Sequence, residues 1–323
     1  MAGSLISGRA SRAERLEAMA EKVAQSAARL PQIEDGSPEQ ARAFRAERGN
    51  PFAPQAVELA EIKDLQIPLS RGSVRVRSYL PSGLEPGNLP CLIFYHGGGY
   101  VLSTVDDYDT VTQRIAQYGQ CRVLSVDYEL APTNKIRSIH KDGFEVYRWV
   151  RDHARDLGID PQRIALGGDS AGGNLTVAVT HACKQSGYPQ AAFQVLLYPS
   201  VDLSMGFPSI AEFAAGYFLT RKGMEWFRSH YLDSPAQASD PELCFLEKDL
   251  AGLPPAYVIT AGFDPLRDEG QAYADRLAEF GVAVKHECYT DMIHAFISFA
   301  GGIEAGEHAL KRIGEELCGA LER

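Results

Sequence analysis

No two of the six cysteines form a Cys-x-x-Cys pair, no apolar stretch approaches the twenty residues of a membrane helix, and no glycine run has the form of a phosphate-binding loop. The cysteines stand singly at positions 91, 121, 183, 244, 288 and 318, and Cys91, Cys121 and Cys288 fall inside strand-like runs. They read as small buried hydrophobes in a reducing compartment. Gly97-Gly98-Gly99 lacks the third glycine of G-x-G-x-x-G, and no G-K-[ST] follows any glycine run, which excludes nucleotide binding. Positive charge is in deficit: 32 Lys and Arg against 42 Asp and Glu leave a net charge of −10. That balance speaks against nucleic acid or an anionic membrane as partner. Charges interrupt the opening MAGSLISGRASRAER, so the expectation is no signal peptide and a cytoplasmic location. Repeats and low-complexity tracts are absent too.

What is present is chemistry at two turns. Leu89 to Tyr95 (LPCLIFY) is a continuous apolar run, as expected of a strand buried on both faces of a parallel sheet, and His96-Gly97-Gly98-Gly99 ends it. Arg163 to Leu166 (RIAL) is a second short run. It passes through Gly167-Gly168-Asp169-Ser170-Ala171-Gly172 into AGGNLTVAVTHACK, which has the small and apolar spacing of a buried helix. Ser170 therefore sits on a strand-to-helix turn, where a nucleophile is held strained and exposed and glycines on either side let strand and helix approach. A helix N-terminus also offers free N–H groups, so the N–H of Ala171 points toward an oxyanion forming at Ser170, with Gly97 and Gly98 as the other candidate donors. A two-glycine pattern around a serine is cheap, with about 0.2 chance matches at ordinary usage, whereas a His and three glycines is expected on the order of 0.006 times. Either alone reads equally well as a turn; the pair in this order describes an activated serine facing an anion pocket.

A serine nucleophile needs a base, and the base an orienting acid. Of the eight histidines, His140, His153 and His308 lie in polar helical stretches, His181 in the helix after Ser170, and His286 on an alternating run. His294 follows the strand-like Val282 to Tyr289 and a loop, Thr290 to Ile293, at the sheet edge where open α/β folds build their sites. The buried run Ala256 to Ala261 (AYVITA) leads to Asp264 in a loop and Asp268 inside the next helix. Pro265 suits the first helical position, which leaves Asp264 free to face a histidine, while Asp268 is explained by the helix dipole. The resulting order, Ser170, Asp264, His294, is that of α/β-hydrolases.

The rest of the chain reads as α/β. An amphipathic helix carrying Leu16, Met19, Val23, Ala27 and Leu30 ends at Pro31, and a second helix spans 37–48. An antiparallel pair, 64–69 and 73–80, opens the sheet; strands near 91–95, 122–126, 163–167, 193–198, 256–261 and 282–289 alternate with helices, about eight strands in all. The 323 residues suit one sheet with insertions. Between Tyr198 and Pro254 one crossover is far longer than needed and carries Phe207, Phe213, Tyr217, Phe218, Leu219, Met224, Trp226, Phe227 and Tyr231. It is the core of an extra helix pair or a cap that roofs the serine and binds an apolar arm of a substrate. The expected division is an N-terminal helical part of the cap (1–60), a catalytic core (61–203 and 236–323), and an inserted part of the cap (204–235).

With HGGG followed by Tyr100, the run Asp127-Tyr128-Glu129-Leu130-Ala131-Pro132, GDSAGGN, DPLRDEG and His294, the chain resembles the hormone-sensitive-lipase-like carboxylesterases, bacterial branch with GDSAG, over roughly residues 65–323. The resemblance implies an α/β-hydrolase fold with a helical cap, no metal or organic cofactor, and hydrolysis of short- to medium-chain carboxylic esters. It makes Ser170 the nucleophile, His294 the base, Asp264 the orienting acid, and the N–H groups of Gly97, Gly98 and Ala171 the oxyanion hole; His96 supports the glycine loop. Tyr100, Phe218 and Leu219 are the substrate-contacting candidates. Two departures stand out: Thr133, where the family usually has Glu, and Ala295, where it commonly has Gly after the histidine. Amidase or lactonase action on the same site stays open. A lipase calls for a large apolar lid, which the insert's interleaved Arg221, Lys222, Glu225 and Arg228 oppose. A receptor built on this fold, such as the gibberellin receptors, has lost the histidine that this chain keeps. The expected partner is a small-molecule ester, and a homodimer is left open.

Overall fold

The computed structural model describes residues 12–84 and 87–322; the first eleven residues, on which the leader reading falls, lie outside them. One eight-stranded sheet runs in the order β1-β2-β4-β3-β5-β6-β7-β8. β1 (Glu61–Leu69) and β2 (Gly72–Leu80) form the expected hairpin, and β2 also meets β4 (Arg122–Val126) antiparallel. From β4 through β3 (Leu89–Tyr95), β5 (Ile159–Asp169), β6 (Phe193–Leu197), β7 (Ala256–Phe263) and β8 (Val284–Ile293) every pairing is parallel. β4, β6 and β7 are buried at every position, the pattern required when helices cover both faces.

Alternate residues of these strands feed two layers. Leu92, Phe94, Val123 and Val195 face one core with α3 (Asp109–Gly119), α9 (Glu304–Leu321) and the N-terminal α1 (Ala18–Ala28). Ile93, Tyr95, Leu124 and Leu166 face the other with α4 (Ile136–Asp152) and α5 (Ala171–Ser186). α2 (Pro38–Arg48) starts on a capping box, in which Ser37 Oγ accepts the Gln40 N–H and the Gln40 side chain accepts the Ser37 N–H. The long crossover holds α6 (Pro208–Glu212) and α7 (Arg221–Tyr231), followed by short 3-10 turns; α8 (Arg267–Glu279) joins β7 to β8. α7 reaches the N-terminal segment, where Trp226 Nε1 donates to the Gly36 carbonyl at 3.2 Å.

Two local expectations change. Thr290 to Ile293, read as a loop, continues β8, because β7 and β8 pair on to Phe263 and Ile293 across an irregularity at Gly262. A Cβ on Gly262 would lie 1.9 Å from the Thr290 carbonyl oxygen, so only glycine allows that approach. α8 starts at Arg267 and not at Pro265, because Asp264 Oδ1 accepts the Leu266 N–H at 2.8 Å and holds Asp264-Pro265-Leu266 in a turn outside the helix.

Candidate active site

β5 delivers Ser170 straight from its last residue, and the turn is forced. Ser170 has φ 54° and ψ −117°, its N–H donates to the Leu197 carbonyl at 2.8 Å, and α5 begins at the next residue. The helix passes so close to β3 that a Cβ on Gly172 would sit 1.9 Å from the Tyr95 carbonyl oxygen. Strain of this kind at a cavity wall is a mark of function.

β7 and β8 bring the other two side chains to the same edge. His294 Nε2 lies 2.9 Å from Ser170 Oγ, and His294 Nδ1 lies 2.7 Å from Asp264 Oδ2. Asp264 is fully buried and accepts only, so the proton on Nδ1 faces it and Nε2 is left to accept from the serine hydroxyl. Tyr198 packs edge-on against the imidazole with ring centroids 4.9 Å apart. Ala295, the departure after the histidine, adopts φ 61°, a left-handed conformation that glycine reaches more easily. Asp268 does not join the group: its Oδ2 accepts the Ser209 N–H at 2.9 Å and its Oδ1 pairs with Arg267 Nε at 2.8 Å, tying α8 to α6.

The glycine loop corrects one expectation. The N–H of Gly97 donates to Asp169 Oδ1 at 2.7 Å, and Gly97 does not line the cavity at Ser170. Gly98 and Gly99 do line it, together with Ala171, and none of these three N–H groups has an acceptor among the described residues. Asp169, whose Oδ2 also accepts the Tyr108 hydroxyl at 2.8 Å, was not singled out from sequence. Burial pushes its carboxyl up to about 6, against the pull of those two hydrogen bonds. His96 is buried and stacks on Tyr128 at 4.3 Å, and its Nδ1 meets the Gly97 carbonyl at 2.7 Å, as a support for the loop requires.

Tyr100, Phe218 and Leu219 all line the cavity, which encloses about 300 Å³. The Tyr100 hydroxyl is committed elsewhere, donating to Asn174 Oδ1 at 2.7 Å. His140 bonds the same oxygen at 2.9 Å and is held down to about 4 by burial, so it is neutral. Beside Thr133, the Arg42 guanidinium donates to the Ala131 carbonyl and Asn134 donates to Asp142 at 2.8 Å, which ties the loop down without a glutamate.

A mostly parallel eight-stranded sheet with a serine on a strained turn and His and Asp at the ends of later strands defines an α/β hydrolase. Residues 92–298 match the α/β-hydrolase-fold family. Carboxylic ester hydrolase LipN of Mycobacterium tuberculosis is 38% identical over 260 residues, covering 77% of this chain and 69% of that protein. Ethyl acetate hydrolase of Pseudomonas putida is 35% identical over 260 residues, covering 79% and 82%. An ester hydrolase from the metagenome of Lake Arreo, solved with a bipyridine phosphonate derivative, superposes with a TM-score of 0.91 at 34% identity over 95% of this chain and 100% of its own. The chain belongs to the α/β-hydrolase-fold family and, within it, to the carboxylic ester hydrolases. No helix of the described residues is long and apolar enough to cross a membrane.

Proposed function

We propose that the protein is a serine carboxylesterase of the GDSAG branch, cleaving short- to medium-chain esters through an acyl-enzyme. The observation that carries the reading is the continuous contact from Ser170 Oγ to His294 Nε2 and from His294 Nδ1 to Asp264 Oδ2, at 2.9 and 2.7 Å. Ser170 Oγ attacks the ester carbonyl as its proton passes to His294 Nε2. The N–H groups of Gly98, Gly99 and Ala171 receive the tetrahedral oxyanion, each donor worth about 3 kcal/mol in enzymes of this kind. Collapse breaks the C–O bond to the alcohol, which leaves with the proton from His294. Water, deprotonated by His294, then attacks the acyl carbon and returns Ser170. Asp264 holds the imidazole in the required tautomer throughout.

The helices before β1 (within 1–60) and the insert 204–235 act together as a cap over the core (61–203 and 236–323). Support comes from α7, which stacks Phe227 over Gly99 and Tyr231 against Tyr100, and from Phe218 and Leu219 in the cavity wall. The cavity is at the small end of ligand sites, which favours short acyl chains over long ones. Among the described residues no disulfide joins any of the cysteines, in keeping with a cytoplasmic location. A panel of 4-nitrophenyl esters from acetyl to palmitoyl tests the reading. The expected maximum of kcat/KM lies between about two and eight carbons, and Ser170→Ala retains under about one percent of the activity. A maximum at sixteen carbons supports a lipase, and no turnover supports a receptor.

A further inference from the structure

The cavity wall contains a cation without a counter-ion. Arg228, on α7, is half-buried and lines the cavity that holds Ser170. Its Nε is sealed from solvent and has no hydrogen-bond partner, and no carboxylate of the described residues lies within ion-pair distance of its guanidinium. The other arginines of the wall differ. Arg45 is paired with Asp107 at 3.3 Å, and Arg48 is solvent-exposed, where water screens it.

The surroundings of Arg228 explain why no protein group answers it. One residue before it, Phe227 covers Gly99; one turn after it, Tyr231 packs edge-on against Tyr100 with ring centroids 5.5 Å apart. The same face of α7 therefore looks onto the glycine loop and the reacting centre. Two neighbouring carboxylates are engaged with donors other than Arg228. Asp202, which also lines the cavity, accepts the Ser204 N–H at 3.0 Å and the Ser204 hydroxyl at 2.7 Å. Glu269 Oε1 accepts the N–H groups of Val201 and Asp202 at 2.7 and 3.2 Å. The Tyr231 hydroxyl makes no hydrogen bond to another described residue, and it lines the same cavity and feels the Arg228 charge, so a second free donor accompanies the first. With Nε unsatisfied and no carboxylate in the chain to neutralise it, the guanidinium is costly unless a group bound in the cavity supplies a counter-charge to its accessible end. The planar fork of arginine fits a carboxylate in bidentate fashion better than it fits any neutral group.

We propose that Arg228, assisted by the Tyr231 hydroxyl, is a specificity-determining residue, and that the substrate is an ester whose arm along α7 carries a carboxylate. The proposal rests on the ester-hydrolase reading above and narrows it from neutral short esters to acid-bearing ones. The anionic arm is either the acyl chain or the alcohol, and the two are separated by experiment.

Four esters in matched pairs test it: mono-4-nitrophenyl adipate against 4-nitrophenyl hexanoate for the acyl arm, and 4-acetoxybenzoate against methyl 4-acetoxybenzoate for the alcohol arm. In one pair the wild-type enzyme is expected to use the anionic ester at least as well as its neutral partner. Arg228→Ala is expected to lower kcat/KM for that anionic ester at least tenfold more than for the neutral one, mainly through KM, and Arg228→Lys to recover part of the loss. Arg228→Gln keeps much of the aliphatic stem and removes the charge, so it gives the same readout if the alanine variant folds poorly. In the wild type, KM for the anionic ester should rise with salt, while that for the neutral ester stays flat. Parallel losses on both members of each pair, or wild-type rejection of both anionic esters, overturn the proposal and leave the esterase reading standing. No turnover of any of the four overturns both.

Discussion

Asp169 Oδ1 accepts the N–H of Gly97 at 2.7 Å, so the residue just before Ser170 in sequence anchors the loop that faces Ser170 in space. The same carboxylate takes the Tyr108 hydroxyl on its other oxygen, and it is 2% exposed. Strand β5, the glycine loop and Tyr108, the residue just before α3, are thus joined at one buried carboxylate.

That carboxylate makes stability depend on pH. The Asp169 carboxyl, pushed up to about 6 by burial, has an ordinary value of 3.8. Between those values the folded chain holds a proton that the unfolded chain has lost, so unfolding free energy falls as pH rises through the window, by about 3 kcal/mol in total. Asp169→Asn cannot titrate. Urea denaturation of both proteins at pH 4 and pH 7 should therefore show the wild type losing about 2 to 3 kcal/mol relative to the variant as pH rises. Parallel stabilities at the two values would contradict the assignment.

The two carboxylates of the Asp264 to Asp268 segment should separate cleanly. Asp264 contacts His294 Nδ1, and an amide there favours the wrong tautomer, so Asp264→Asn should lower kcat about 10⁴-fold with little change in the fold. Asp268 ties α8 to α6 through the Ser209 N–H, and Asp268→Asn should cost about 1 kcal/mol of stability. Steady-state kinetics and thermal melts on both variants decide it; a larger kcat loss at Asp268 would reverse the choice.

Ala295 stores strain that can be removed. A left-handed φ costs a non-glycine residue about 1 to 2 kcal/mol, and glycine returns about 0.5 to 1 of that through the freedom of the unfolded chain. Ala295→Gly should thus be stabilising by up to about 1 kcal/mol, whereas Ala295→Val should destabilise by about 2 kcal/mol or more. Urea midpoints report both.

How much of this was legible follows from what one-dimensional patterns encode. β3, β4, β6 and β7 were plain because strands buried on both faces are continuous apolar runs, and the Ser170, Asp264 and His294 positions followed from the strand ends. The end of β8 was misread because Thr290 and Asp291 look like a polar loop, and the reason they pair lies in the missing side chain of Gly262 on another strand. Which glycine N–H is free depends on where the Asp169 carboxylate points, a side-chain direction no motif carries. Arg228 read as one more charge on a solvated face; Arg221 is that, paired with Glu225 at 3.0 Å, but Arg228 turns into the cavity.

The contact between Gly99 and Phe227 offers the sharpest test of the loop. Gly99 has φ +60°, and a Cβ there would lie 2.4 to 2.6 Å from three carbons of the Phe227 ring. Gly99→Ala must therefore push either the loop or α7 away, displacing one proposed oxyanion donor, and losing one such donor costs about 10² to 10³ in kcat. Phe227→Ala clears the space at the cost of cavity wall. If the ring is what the new methyl meets, the double variant Gly99→Ala/Phe227→Ala should turn over at least about fivefold faster than Gly99→Ala alone, a positive coupling in the double-mutant cycle. The remaining deficit reports the left-handed angle that alanine still has to adopt. Additive losses, with the double variant slower than either single one, would mean that α7 does not set the position of the Gly99 N–H.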